Sequence, residues 1–392
     1  MYNDKLAVCM VISGYYPIVS GAENQCQLIS ERLKTQGIDI AILTRRYQGL
    51  KYFEEINKVP VYRIPTLSKG IVASITFTIF SILWLFRYGK RFHVFHCHQA
   101  LSPTTIGIMG KILWRKKVIT KIACTGEYGD ISEIRRFPLL SLRKQILKRV
   151  DTFVSLNPEA KKELIELGLA EFNLIDIPNG VDLKTYVPVS EETKFNLRNK
   201  LGLSSKGSLV IFVGRLAPQK GIETLFYAWA GVIKKLRDKE SQLILLGRGP
   251  QESYLYGLIK RLDLNSSVAL LGWKDNAVEY LQASDIFVLP SVSEGLSNSL
   301  LEAMACGLTV IATDNPGNRL VIKNGENGLL VTIGDTQELS QAIISCIRTD
   351  TGKQLGKKAR KVVEEKFSLQ SVVERYKNLY MELTLSNHNI KL

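Results

Sequence analysis

One alternation runs through most of the chain: a short apolar run, a stretch with helical spacing, then another apolar run. "LAVCMVIS" (6–13) reads as a strand, "AENQCQLISERLKTQG" as a helix closing on Gly37, and "IDIAILT" as the next strand. "VPVYRI", "HVFHCH", "KVITKIAC", "DTFVSLN" and "NLIDIPNG" continue the series. A polar stretch at 188–207 interrupts it, and "SLVIFVG", "SQLILLG", "SVALLG", "SDIFVLP" and "LTVIAT" begin it afresh. Strands separated by helices pair in parallel, because each crossover helix must pack back onto the sheet. Two such series predict two doubly wound α/β domains, with a ligand between them at the C-terminal strand edges. The expected division is 1–190, 191–366 and a closing helical segment, 367–392.

Composition then narrows the class. The chain has 392 residues, long for one domain, and 45% of them are hydrophobic, ample for two cores. Six scattered cysteines form no CxxC pair and predict free thiols in a reducing cytosol. His93, His96, His98 and His388 lack zinc-ligand spacing, so no metal site is expected. The opening run is too short and too strand-like for a signal peptide. "IVASITFTIFSILWLF" (71–86) is sixteen uncharged residues, slightly short of a membrane span; a helix covering the first sheet, buried or lying at an interface, is expected.

Net charge is +15, unevenly spread. Residues 1–190 hold 26 Lys+Arg against 16 Asp+Glu, and residues 191–392 hold 26 against 21. Such a bias points to an anionic partner, and without a recognition motif nucleic acid is the weakest candidate.

Three loops carry chemistry. In "SGYYPIVSGAENQ", Gly21 precedes a helix whose first turn holds Glu23, a place where backbone N–H groups can approach a diphosphate. The same residues also suit an ordinary strand-to-helix turn. In "IFVGRLAPQKGIETL" (211–225), Gly214 ends a strand, and Arg215 and Lys220 bring a planar fork and a point charge to its C-terminal edge. In "SVSEGLSNSLLEAMACGLTVIAT" (291–313), Glu294 sits above the sheet, Gly295 and Leu296 offer N–H groups, and Ser297 caps a helix stopped by Gly307. Glu302, in that helix's second turn, is a carboxylate among apolar neighbours and predicts a bound polyol such as a ribose diol.

With "SGAE", "HVFHCH", "IPNGVD", "VGRLAPQKGIETL", "LLGRGP", the E-x7-E pair of "SEGLSNSLLEAMACG" and a closing "FSLQSVVERYKNLYMEL" in this order, the chain resembles family 4 glycosyltransferases. That resemblance covers nearly the whole chain. It implies the GT-B fold, two Rossmann-like doubly wound parallel-sheet domains facing each other across a cleft, and a final helix crossing back to the first domain. It implies further that Arg215 and Lys220 hold the donor diphosphate, Glu302 the ribose and Glu294 a donor-sugar hydroxyl. By the same resemblance Gly21, Gly214, Gly295, Leu296 and Ser297 are expected to line the donor. Many members place a histidine where this chain has Thr125 or Gly126 in "KIACTGEYGDI", so no catalytic histidine is assigned. His98 and Glu127 are the candidates on the acceptor side.

The expected reaction is transfer of a sugar, with retention, from a UDP- or GDP-sugar to a saccharide or lipid-linked saccharide in surface polysaccharide or glycolipid biosynthesis. No Asp-x-Asp pair is present, so Arg215, Lys220 and helix N-termini are expected to stabilise the leaving group without a metal or other cofactor. "RRFPLLSLRKQILKRV" (135–150) is expected to form a basic amphipathic helix with Leu139, Leu142, Ile146 and Val150 on one face. Together with the apolar run 71–86 and the basic first half, it predicts a cytoplasmic protein peripheral at the inner face of the cell membrane. A GT-B nucleotide-sugar epimerase and a non-catalytic membrane-surface binding protein are the alternatives.

Overall fold

The computed structural model describes residues 5–17, 20–67, 70–126, 129–136, 140–169, 172–236 and 240–385. The chain folds into two compact units, residues 1–179 with 369–392, and residues 180–368. Residues 180–190, placed with the first domain from sequence, therefore group with the second. Hydrogen bonds explain this: the Val181 N–H donates to Phe367 O, and the Arg360 guanidinium donates to Tyr186 O. The polar composition of 188–207 marked a helix and loop within the second unit.

The first unit holds an eight-stranded sheet in the order β3-β4-β2-β1-β5-β6-β7-β8. Its strands are β1 Ala7–Val11, β2 Asp39–Arg45, β3 Phe53–Ile56, β4 Val59–Ile64, β5 Val94–His98, β6 Lys117–Ile122, β7 Thr152–Ser155 and β8 Leu174–Asp176. All neighbours are parallel except β3, an antiparallel edge on β4. The sequence reading did not pick out β3, whose four residues, FEEI, include two glutamates and form no apolar run.

Period-two alternation sends β1 to both faces at once, which is why it is apolar throughout. Val8 and Met10 pack with α1 (Gly21–Thr35) and the C-terminal helix Leu369–Leu385. Ala7, Cys9 and Val11 pack on the other side with α2 (Gly70–Tyr88) and α3 (Ser102–Trp114). The C-terminal helix buries Leu369, Val372, Val373, Tyr376, Leu379 and Tyr380, a helical stripe that makes it part of the first unit's core.

The second unit has a six-stranded parallel sheet in the order β11-β10-β9-β12-β13-β14. These are β9 Leu209–Val213, β10 Gln242–Leu246, β11 Val268–Gly272, β12 Ile286–Leu289, β13 Thr309–Thr313 and β14 Leu329–Val331. Only β14, three residues long, escaped the sequence reading. Strand order reverses between β1 and β5 in the first sheet and between β9 and β12 in the second. Crossovers leave in opposite directions there, the position at which doubly wound sheets place their ligands.

The basic segment 135–150 is not one helix. The described helices are α4 (Asp130–Arg136) and α5 (Leu140–Leu147); 137–139 lie outside the described residues, and the chain leaves the helix again at 148–150. Arg143 is 8% exposed and turns inward, donating to Leu101 O and, at 2.7 Å, to Thr105 Oγ1. Arg135 pairs with Glu166 at 3.0 Å. Leu142 is exposed, Ile146 and Val150 are partly buried, and Leu139 lies outside the described residues. The continuous basic face expected from the sequence is therefore corrected.

Candidate donor site at the carboxyl edge of the second sheet

The loops after β9 and β12 meet at the reversal of the second sheet. Gly214 leaves β9 with its N–H bonded to Leu246 O of β10. A short 3-10 turn, Pro218–Lys220, then ends on Gly221, whose φ is +61°. That left-handed backbone favours glycine, and a Cβ there would lie 2.1 Å from Pro290 O, so no side chain fits. The Val292 N–H donates to Gln219 O at 2.8 Å, joining the two loops directly.

This close approach brings Lys220 to Glu294. The ammonium donates to Glu294 Oε1 at 2.5 Å, and Ser291 Oγ donates to the same oxygen at 2.7 Å. The carboxylate is nearly buried and the lysine only partly so. Three donors on the ammonium leave capacity beyond Glu294. Arg215 is exposed on the same loop, and its guanidinium makes no ion pair or hydrogen bond among the described residues.

Beneath Glu294, the loop after β13 forms a floor. Thr313 Oγ1 and Asn315 Nδ2 both donate to Ser291 O, and a Cβ on Gly317 would lie 2.3 Å from Gly295 O. Gly295, Leu296 and Ser297 are buried, and Ser297 Oγ accepts from the Leu300 N–H to cap the helix Asn298–Ala305. Gly307, at φ +77°, follows that helix as expected.

Glu302 has a protein partner that the sequence reading did not include. The Tyr186 hydroxyl bonds its carboxyl, and burial pushes that carboxyl up to about 7 while the tyrosine bond opposes the rise. Tyr186 is carried by residues 180–190, which compositional reading had placed in the other domain. No local signal tied it to Glu302, 116 positions away in sequence.

In the first unit, Gly21 is the first residue of α1, capped by Ser20. Glu23 reaches back to the Ser20 backbone N–H at 3.1 Å and also binds the Ser20 hydroxyl, closing a capping box. His98 ends β5 at the reversal of its sheet but is 2% exposed, its ring stacked 4.4 Å from His96. Burial first, then His96 and Lys121, hold His98 well below the usual histidine range, so it is neutral. His96 in turn meets the Tyr380 hydroxyl at 2.7 Å.

Where a histidine was absent, the structure builds a pinned loop. Thr125 is buried and accepts from Asn157 Nδ2, the Gly126 N–H donates to Glu163 Oε1 at 2.6 Å, and Asp130 Oδ2 accepts from the Ala123 N–H at 2.7 Å. Burial raises Asp130 to about 6. Glu127 lies outside the described residues. Among the described residues no three metal-ligating side chains come together.

The architecture is that of the GT-B class: HepE from Anabaena in complex with UDP-glucose superimposes with a TM-score of 0.80, covering 96% of this chain and 100% of that one at 19% identity. Two family models match in tandem, Glycosyltransferase Family 4 over residues 19–185 and Glycosyl transferases group 1 over residues 193–362. The chain belongs to glycosyltransferase family 4 and is an enzyme of the hexosyl- and glycosyl-transferring class. It is 26% identical over 94% of its length, and 96% of the relative's, to UDP-Gal:alpha-D-GlcNAc-diphosphoundecaprenol alpha-1,3-galactosyltransferase of Escherichia coli. It is 24% identical, over 96% and 98%, to N-acetyl-alpha-D-glucosaminyl L-malate synthase of Bacillus anthracis.

Proposed function

We propose that this enzyme transfers a sugar, with retention of anomeric configuration and without a divalent metal, from a UDP- or GDP-sugar to a saccharide or lipid-linked saccharide at the cytoplasmic face of the membrane. The product belongs to surface polysaccharide or glycolipid biosynthesis. The observation that carries the reading is the Lys220–Glu294 pair at the reversal of the second sheet, with exposed Arg215 on the same loop as Lys220.

The donor's C1–O bond to the diphosphate breaks with its electron pair leaving on phosphate. The acceptor oxygen bonds C1 from the same face, and its proton passes to the departing phosphate oxygen. Arg215 and Lys220 neutralise the growing negative charge, which stabilises the transition state more than the ground state. Glu294, fixed by Lys220 and Ser291, accepts from a donor-sugar hydroxyl. Gly214 lets the β9 loop approach the diphosphate, and the N–H groups of Gly295, Leu296 and Ser297 face phosphate or sugar. Glu302 accepts from the ribose diol while Tyr186 holds its carboxyl in place.

HepE supports a nucleotide-sugar donor, since its structure holds UDP-glucose. The name of the E. coli relative supports a lipid-diphosphate-linked acceptor; that of the B. anthracis relative names malate instead. Proton NMR of the enzyme with a panel of UDP- and GDP-sugars tests the reading. Free sugar released first as the donor's own anomer, with nucleoside diphosphate, is expected; an intact epimerised nucleotide sugar contradicts it.

A further inference from the structure

The helix α2 has no charged residue from Gly70 to Phe86, and its two faces differ. Ala73, Phe77, Trp84 and Leu85 are buried, the last three within the core shared with β1 and β5. Ile71, Val72, Ile75, Ile79, Leu83 and Phe86 point outward, each between 49% and 63% exposed. At 3.6 residues per turn these six fall within an arc of about 120°, one unbroken stripe along a helix roughly 28 Å long. Large apolar side chains scattered singly over a surface need no explanation; six side by side do.

Charge identifies what covers them. From Ile56 to Gly126, 71 residues contain eleven Lys and Arg and no Asp or Glu. Arg87, Lys90 and Arg91 are exposed at the carboxyl end of the stripe. α3 adds Arg115, exposed one residue beyond its end, where Trp114 Nε1 donates to Leu85 O at 3.0 Å. Lys116 lies close enough to Lys90 for the two charges to repel. A second copy packed in parallel on the stripe would set these cations against their own kind, and an antiparallel one would leave them without counter-charge; lipid phosphates complement them. The buried face of α2 is committed to the first unit's core, which leaves only its outer stripe for a partner.

We infer that α2 is the element by which this enzyme sits on an anionic lipid surface, its outer stripe entering the boundary between headgroups and acyl chains while Arg87, Lys90, Arg91 and Arg115 meet lipid phosphates. The inference rests on the membrane location proposed above and narrows it from the two segments 71–86 and 135–150 to α2.

Co-sedimentation of the full-length enzyme with vesicles tests it, using phosphatidylglycerol–phosphatidylcholine mixtures and phosphatidylcholine alone. The wild type binds the anionic vesicles far better than the neutral ones. A chain carrying Ile75→Gln, Ile79→Gln and Leu83→Gln loses at least about tenfold in anionic-vesicle affinity. Its thermal unfolding and nucleoside-diphosphate binding stay unchanged, because these side chains face outward. A triple variant that binds vesicles like the wild type overturns the assignment to α2 and leaves the membrane location standing. A wild type that binds no vesicle overturns both, while sugar transfer to a soluble acceptor is untouched. Light scattering that finds a wild-type dimer made monomeric by the triple change, without vesicle binding, makes a second copy the occupant and also overturns the proposal.

Discussion

At its reversal point the second sheet carries a lysine, an arginine and a carboxylate in open loops, whereas the first sheet ends there in neutral, enclosed rings. Lys220 and Glu294 meet because Gly221 and Pro290 allow two backbones to touch. His98, at the matching strand end of the first unit, is stacked on His96 and held neutral by burial. The same topology thus serves two purposes, and the loops decide which. The first unit's uncommitted chemistry lies instead on its outside, in the apolar stripe of α2 and the acid-free stretch around it.

If the second unit does the chemistry, the largest effect should follow from Lys220. Lys220→Ala should lower kcat about 100-fold or more, since it removes a cation from the leaving group and releases Glu294. A loss confined to KM would show that the lysine only binds substrate and would weaken the contrast between the units.

Glu302 comes next. Glu302→Ala should cost about 1.5–3 kcal/mol of donor affinity by calorimetry. Stability should answer separately. The folded-state carboxyl titrates near 7 and the unfolded one near the ordinary 4.5, so the folded form is favoured below 4.5 and loses that advantage as pH rises through 7. Glu302→Gln should therefore raise Tm relative to wild type at pH 8 and leave it little changed at pH 5. The opposite order would place the carboxyl in a solvated setting.

Tyr186→Phe sharpens the same point with a smaller effect. Losing the phenol bond that opposes the rise should push the Glu302 titration higher still, with about 1 kcal/mol lost from donor binding. Smallest of all, if Arg215 and Lys220 neutralise the diphosphate as proposed, excess EDTA should leave kcat within about twofold. Abolition by chelator with rescue by Mg²⁺ or Mn²⁺ would contradict that role for Arg215 and Lys220.

Most of the fold was legible because both sheets are buried on both faces, which forces continuous apolar runs such as β1 and β9. What failed was short or polar: β3 with its two glutamates, and β14 with three residues. The site was legible where its residues neighbour one another along a loop, as in Ser291–Ser297. Tyr186 was not, because its bond to Glu302 depends on residues 180–190 folding with the second unit. Arg143 misled for a related reason. A basic residue at helical spacing looks solvated until backbone and hydroxyl acceptors, Leu101 O and Thr105 Oγ1, appear from elsewhere in the fold.

The central claim is that donor binding belongs to the second unit and is independent of the first unit's apolar face. Calorimetric titration of UDP and GDP into full-length Lys220→Ala and into the Ile75→Gln, Ile79→Gln, Leu83→Gln chain tests it most directly. The account predicts affinity lowered by an order of magnitude or more in the first, for whichever nucleotide the wild type binds, and unchanged in the second. Wild-type affinity in Lys220→Ala, or a matching loss in the α2 variant, would contradict it.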